Sequence, residues 1–135
     1  LELTESIVMR NVDASIATLT TLRTMGVQLS IDDFGTGYSS LSYLHRLPIN
    51  RVKIDQSFIQ EILTQARPPM IVRAIIAMAH SLNLLVLAEG VEQEFQRTTL
   101  IDEGCDFAQG HLFGRPMQAD EFALLLQSTP LRKAG

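Results

Sequence analysis

The chain has 135 residues, 46% of them hydrophobic and 19% charged, with a formal net charge of −4 and a pI near 5.3. That composition excludes a disordered or low-complexity chain and allows one sizeable core, and the acidic balance argues against a surface that coats DNA or RNA polymers. A small phosphate ligand held through metal ions remains compatible with it.

In chain order, LELTE reads as a short strand carrying Glu2 and Glu5. From Asn11 to Met25, Val12, Ile16, Leu19 and Leu22 fall on one helical stripe, and Gly26 is a good helix stop. VQLSIDD predicts a strand ending on Asp32 and Asp33, followed by a glycine-rich turn through Gly35 and Gly37 and a short helix that Pro48 ends. RVKID predicts the next strand, ending on Asp55. Pro68 and Pro69 then open a helix in which Ile71, Ile75, Met78 and Leu82 recur at spacings of four, three and four. LLVLAEG predicts a strand that reaches Glu89. The final third predicts a helix near Glu92 to Glu103 stopped by Gly104, a strand from Cys105 to Ala108, and a last helix from about Asp120 to Gln127.

Strands alternating with helices of this length imply βαβ units and an α/β fold with a parallel sheet. Each of the first four strands ends on an acid, and in a parallel barrel all such ends reach one rim, where acids distant in sequence can meet around a cation. A complete (β/α)8 barrel of the TIM type needs about 250 residues, so four to five units make either a partial barrel or a small open sheet. Parity favours the barrel. Val27, Leu29 and Ile31 oppose Gln28, Ser30 and Asp32, and Val52 and Ile54 oppose Lys53 and Asp55, so one face is apolar and one polar. Leu85 and Leu87 share the face of Glu89 and would fill the barrel beneath it.

Taken singly, the candidate residues have plainer readings. Asp32 and Asp33 could begin a turn, Lys53 and Asp55 could form a structural ion pair, Glu2 and Glu5 could lie at the surface near a helix start, and Glu92 could complement a helix dipole. His45, His80 and His111 show no metal-ligand spacing and read as structural or exposed. The lone Cys105 reads as a small buried hydrophobe, and its isolation suits a reducing cytoplasm. Gly35-Thr36-Gly37 lacks the glycines and lysine of nucleotide-binding loops, and Ser39 and Ser40 lie in no nucleophile elbow. The longest apolar run, Leu84 to Ala88, is far short of the ~20 residues of a spanning helix, and no signal peptide is visible.

ELTES, SIDDFGTGYSSLSYL, RVKIDQSFI, LAEGVE and AQGHLFGRPM, in that order and spacing, resemble the C-terminal half of the EAL-domain family of bacterial cyclic di-GMP phosphodiesterases. The resemblance assigns residues 1–128 to that half-domain and 129–135 to a tail. It implies a TIM-type barrel, with an antiparallel first strand in the family, that hydrolyses cyclic di-GMP to the linear dinucleotide using two Mg²⁺ or Mn²⁺ ions. By position, Glu2 resembles a ligand of the first metal, Asp32 the bridging ligand, and Asp33 and Glu89 ligands or water-orienters at the second. Lys53 would hold the attacking water and offset phosphate charge, so Lys53, Glu89 and Asp33 form the implied catalytic set. Glu5 matches the acid that steadies the loop after DDFG, and Asp55, Glu92 and Gln109 match further positions near the substrate. His111 stands where the family usually has an aromatic.

The family's Glu-Ala-Leu strand and an asparagine on a following strand, both first-metal ligands, do not occur in these 135 residues. The chain alone is therefore expected to be inactive, to pair with a second copy across open strand edges, and to belong to a parent with an upstream sensor or diguanylate cyclase-type domain. A cytoplasmic location is expected for it, alone or as part of a membrane-anchored parent. The alternative is a degenerate module that binds cyclic di-GMP or a protein partner without cleavage.

Overall fold

A computed structural model of the chain describes residues 1–9, 11–35, 44–63 and 69–128. The elements are β1 (Glu2–Thr4), α1 (Glu5–Met9), α2 (Val12–Thr24), β2 (Ser30–Phe34), β3 (Arg51–Ile54), α3 (Gln56–Glu61), α4 (Met70–Ser81), β4 (Leu85–Ala88), α5 (Glu94–Asp102), β5 (Phe107–Ala108) and α6 (Ala119–Ser128). The five strands form one sheet in the order β1-β2-β3-β4-β5, and every neighbouring pair is parallel. A doubly wound sheet reverses its strand order at a switch point. Here each strand lies beside its sequence neighbour, which is the order of a barrel, so the sheet is part of an α/β barrel.

The expected helices form where their caps and stops allow. Asn11 caps α2, its Oδ1 accepting from the Ala14 N–H at 3.3 Å, and Gly26 follows the helix with φ +87°. The apolar face of α4 is rotated from the expected stripe. Val72, Ile75, Ile76 and Ala79 are buried, Met78 and Leu82 pack at the margin, and Ile71 is exposed. A helix apolar on several sides does not fix its own phase, so the sheet beneath selects it. Two short helices, α1 and α3, join the expected set, whereas α5 starts at Glu94 rather than Glu92 and β5 spans Phe107–Ala108 rather than starting at Cys105. The turn through Gly37 and the short helix before Pro48 fall largely on residues 36–43, outside the described residues, as does the 129–135 tail.

Strand parity places the core on one side of the sheet. Ile31, Val52, Ile54, Val86 and Ala88 face Val8, Leu19, Ile59, Val72, Ile76 and Leu100 from the helices, all buried. The other face carries Glu2, Ser30, Arg51 and Leu85 in one register row and Lys53, Leu87 and Phe107 in the next. The Arg51 guanidinium stacks 4.5 Å from the Phe107 ring. Leu85 shares the face of Glu89 as expected, but at 42% exposure it is not enclosed, because the sheet of described residues remains open. Cys105 packs against the core, and burial pushes its thiol up. Among the described residues no helix is long and apolar enough to cross a membrane.

Candidate active site

Lys53 is the centre of the site. It sits on β3, its side chain 5% exposed, and its ammonium meets Glu2 Oε2 at 2.8 Å, Asp32 Oδ1 at 2.9 Å and Glu89 Oε1 at 2.9 Å. Glu2 comes from β1, Asp32 from β2, and Glu89 directly follows β4. Four separate segments therefore deliver one cation and three anions to one place because parallel neighbours in register present the same face, Glu2 reaching from the row before Lys53 and Glu89 from just beyond the end of β4.

Burial alone pulls the Lys53 ammonium toward the neutral form, but the hydrogen bonds to Glu2, Glu89 and Asp32 outweigh it and hold its pKa above the ordinary lysine value. At Glu89 burial dominates and raises the carboxyl pKa; Lys53 opposes the rise, while Asp32 and Glu2 add to it. With all three acids ionised the cluster carries two more negative charges than positive ones.

Asp33 takes a different direction from Asp32. The β2–β3 register shifts between Ile31 and Phe34, and Asp33 has φ +54°, so it is the extra residue of an irregular strand end. Its own N–H donates to Asp32 Oδ1 at 3.1 Å, which steadies Asp32 beside Lys53. Asp33 lines a cleft of about 1070 Å³ together with Asp55, Glu89, Glu92, Gln109 and His111, with Phe107, Phe113 and Met117 on its apolar wall.

The remaining expected residues divide. Asp55 caps α3, accepting from the Ser57 N–H at 2.9 Å and the Ser57 hydroxyl at 2.5 Å, and the latter bond holds its carboxyl below the usual range. Lys53 thus pairs with Glu2, Asp32 and Glu89, and the alternative of a Lys53–Asp55 pair gives way to a cap that also borders the cleft. Glu92 precedes α5, and its Oε1 lies 3.8 Å from His111 Nδ1. Gln109 ties the cleft floor together, its N–H donating to the Ala88 carbonyl at 2.8 Å and its carbonyl accepting from the Val91 N–H at 3.0 Å. The side chain of Glu5 lies outside the described part of the structure.

Two polar groupings were not anticipated from the sequence. Gln96, fully buried, accepts from the Glu92 and Gln93 N–H groups; the Gln93-to-Gln96 spacing resembles a capping box and was the available clue. His80 and the Val86 N–H both meet Asp106 Oδ2, at 2.9 Å and 2.8 Å, at the opposite end of the strands from the cleft. Nothing in the spacing of those three residues announces a contact.

Glu2, Asp32 and Glu89 offer only carboxylate oxygens, the donors preferred by hard divalent cations, and their excess negative charge suits such an ion. Among the described residues no three His, Cys, Asp or Glu side chains form a ready-made metal cluster; the three acids that converge do so on Lys53.

The model of the EAL domain family matches residues 1–116. The chain belongs to the EAL domain family. It is 53% identical over 121 residues to the bifunctional diguanylate cyclase/cyclic di-GMP phosphodiesterase MucR of Pseudomonas aeruginosa, covering 90% of this chain and 18% of that protein. It is 48% identical over 129 residues to the signaling protein YkoW of Bacillus subtilis, covering 96% of this chain and 16% of YkoW. The chain thus spans under a fifth of the length of these curated relatives. Among solved structures, the PaMucR phosphodiesterase in complex with c-di-GMP superposes with a TM-score of 0.85 at 52% identity, covering 90% of this chain and 49% of that one. The EAL domain of Mycobacterium smegmatis DcpA gives 0.86 at 46% identity, covering 94% and 57%. The calcium and cy-diGMP complex of Klebsiella pneumoniae BlrP1 gives 0.75 at 36% identity, covering 85% and 29%.

Proposed function

We propose that this chain is the C-terminal half of a metal-dependent phosphodiesterase that hydrolyses cyclic di-GMP to linear pGpG. The observation that carries the reading is the meeting of Glu2, Asp32 and Glu89 on one buried lysine beside a cleft that Asp33 borders. The names of the relatives support the substrate, since MucR is a cyclic di-GMP phosphodiesterase and its solved domain is a c-di-GMP complex. The half-domain is assigned to residues 1–128, with 129–135 as a tail.

In this reading Glu2, Asp32, Asp33 and Glu89 hold two Mg²⁺ or Mn²⁺ ions, and the calcium in the BlrP1 complex is of the same hard, oxygen-seeking class. Such ions, when bound, supply a water made nucleophilic near neutral pH and charge to offset the phosphate. Lys53 contributes a fixed positive charge beside the phosphate and a donor that orients the attacking water. Glu89, its carboxylate 2.9 Å from the Lys53 ammonium, helps to orient that water. Asp55, Glu92 and Gln109 line the substrate's side of the cleft.

By itself the chain is expected to be inactive, because the other ligands of the first ion come from the uncovered half of the barrel. It is expected to pair with a second copy and to work in the cytoplasm downstream of a sensor or cyclase-type domain. A second reading, a module that binds cyclic di-GMP or a protein partner without cleaving, draws on the fact that Lys53 already engages the three acids.

A chimera that joins the uncovered half of the PaMucR domain to this chain tests both readings. Mn²⁺-dependent production of pGpG that is lost in Asp32→Asn is the result expected. Binding of cyclic di-GMP with no turnover by a folded chimera would establish the non-cleaving module instead, and neither binding nor turnover would remove the ligand assignment.

A further inference from the structure

Gln96 has no place in the chemistry above, yet it is the most deeply buried polar side chain among the described residues, at 0% exposure. Its Oε1 accepts from the Glu92 N–H at 2.8 Å and the Gln93 N–H at 2.9 Å. Its Nε2 donates to the Ile59 carbonyl at 3.0 Å, across 37 residues of sequence and onto α3. A helix cap serves its own first turn. This one also fastens that turn to a neighbouring helix.

The segment so held is the acidic loop from Glu89 to Glu92. On the α3 side, Gln60 Nε2 donates to the Gly90 carbonyl at 3.1 Å, so α3 holds the loop directly at Gly90 and indirectly through Gln96. On the other side, the Val91 N–H donates to the Gln109 carbonyl and the Leu112 N–H to the Val91 carbonyl, both at 3.0 Å. The loop therefore has little freedom of its own, and its two ends carry Glu89, 2.9 Å from the Lys53 ammonium, and Glu92, 3.8 Å from His111 Nδ1.

We propose that Gln96 is a positioning residue for the site: by bonding Glu92 and Gln93 to α3 it fixes the loop backbone, and through it the places of the Glu89 and Glu92 carboxylates. It touches neither ligand nor reacting atoms. The inference rests on the reading of Glu89 and Glu92 as site residues, but its test uses no nucleotide and no metal. Failure of the phosphodiesterase reading and failure of this one are therefore distinguishable.

Gln96→Glu separates positioning from capping, because it keeps an acceptor for the two N–H groups and loses the donor to Ile59. The Lys53 ammonium resonance in a ¹⁵N–¹H spectrum of the 135-residue chain reports whether Glu89 is still in place. In Gln96→Glu that resonance is expected to shift and its exchange with solvent to quicken about fivefold or more, while the backbone amides of β3 exchange as before. In Gln96→Met, which removes all three bonds, the Glu92 and Gln93 amides should also exchange about tenfold faster or more. An unmoved Lys53 resonance in Gln96→Glu would reduce Gln96 to a helix cap and overturn the proposal. A parallel rise at the β3 amides would do the same by showing a loss of overall stability. If Gln96→Met fails to fold, the Gln96→Glu spectrum decides alone.

Discussion

The ammonium of Lys53 and the carboxylate of Glu89 lie 2.9 Å apart across adjacent parallel strands, although 36 residues separate them along the chain. That contact joins the two strands at the rim and makes the lysine the common partner of Glu2, Asp32 and Glu89.

Replacing Lys53 by methionine leaves three carboxylates facing one another with no cation between them. Unfolding by urea at pH 7 should show a loss of about 1–3 kcal/mol, less than for a fully enclosed pair because Glu2 is open to water. The same variant should bind Mn²⁺ more tightly than the parent chain, measurable by the loss of the free-ion electron paramagnetic resonance signal, since the competing ammonium is gone.

Glu89 sets a slope of stability with pH. Its carboxyl pKa in the fold is raised above its unfolded value near 4.5, so its contribution is complete below that value and is lost as pH rises through the higher folded one. The stability of the wild-type chain relative to Glu89→Gln should therefore decline as pH rises from about 4.5 toward neutrality, measured by denaturant unfolding at each pH.

Asp106 has the opposite sign. Burial pushes its carboxyl up, but the hydrogen bonds from His80 and the Val86 N–H prevail and lower it below its unfolded value near 3.8. Its contribution is present above that value and is lost as pH falls through the lower folded one. Asp106→Asn should cost about 1–2 kcal/mol in urea unfolding at pH 7. The Lys53 ammonium resonance should not move, because the contacts of Asp106 with His80 and Val86 lie at the far end of the strands.

Gly110 passes so close to the acidic loop that a Cβ there would lie 2.1 Å from the Val91 carbonyl oxygen and 2.3 Å from the Val91 nitrogen. Backbone atoms cannot yield as a flexible side chain does. Gly110→Ala should push the Glu89–Glu92 loop away from residues 109–112 and cost about 2 kcal/mol or more, with the Val91 and Leu112 amides losing protection first.

The acids of the site were legible because each closes an apolar run, and period-two alternation told which of their neighbours would share the cleft side of the sheet. Lys53 was legible for the same reason: a lysine between Val52 and Ile54 must face away from the helices. The two short helices were not, since α3 is only Gln56–Glu61 and its cap, Asp55, reads equally well as the acid at a strand end. The phase of α4 was not, because Ile71, Val72, Ile75 and Ile76 give an apolar helix two plausible faces and only the sheet chooses between them. Gln96 and the His80–Asp106 pair depend on partners 37 and 26 residues away, and no local pattern encodes a meeting at that distance.

Neighbour-by-neighbour strand order also decides which segments the charged rim requires. Within the described sheet each strand after β1 lies on the edge left by its predecessor, so no described strand is inserted between two earlier ones. The three acids and the lysine come from the first four strands and the residue after β4, and their contacts need neither β5 nor α6.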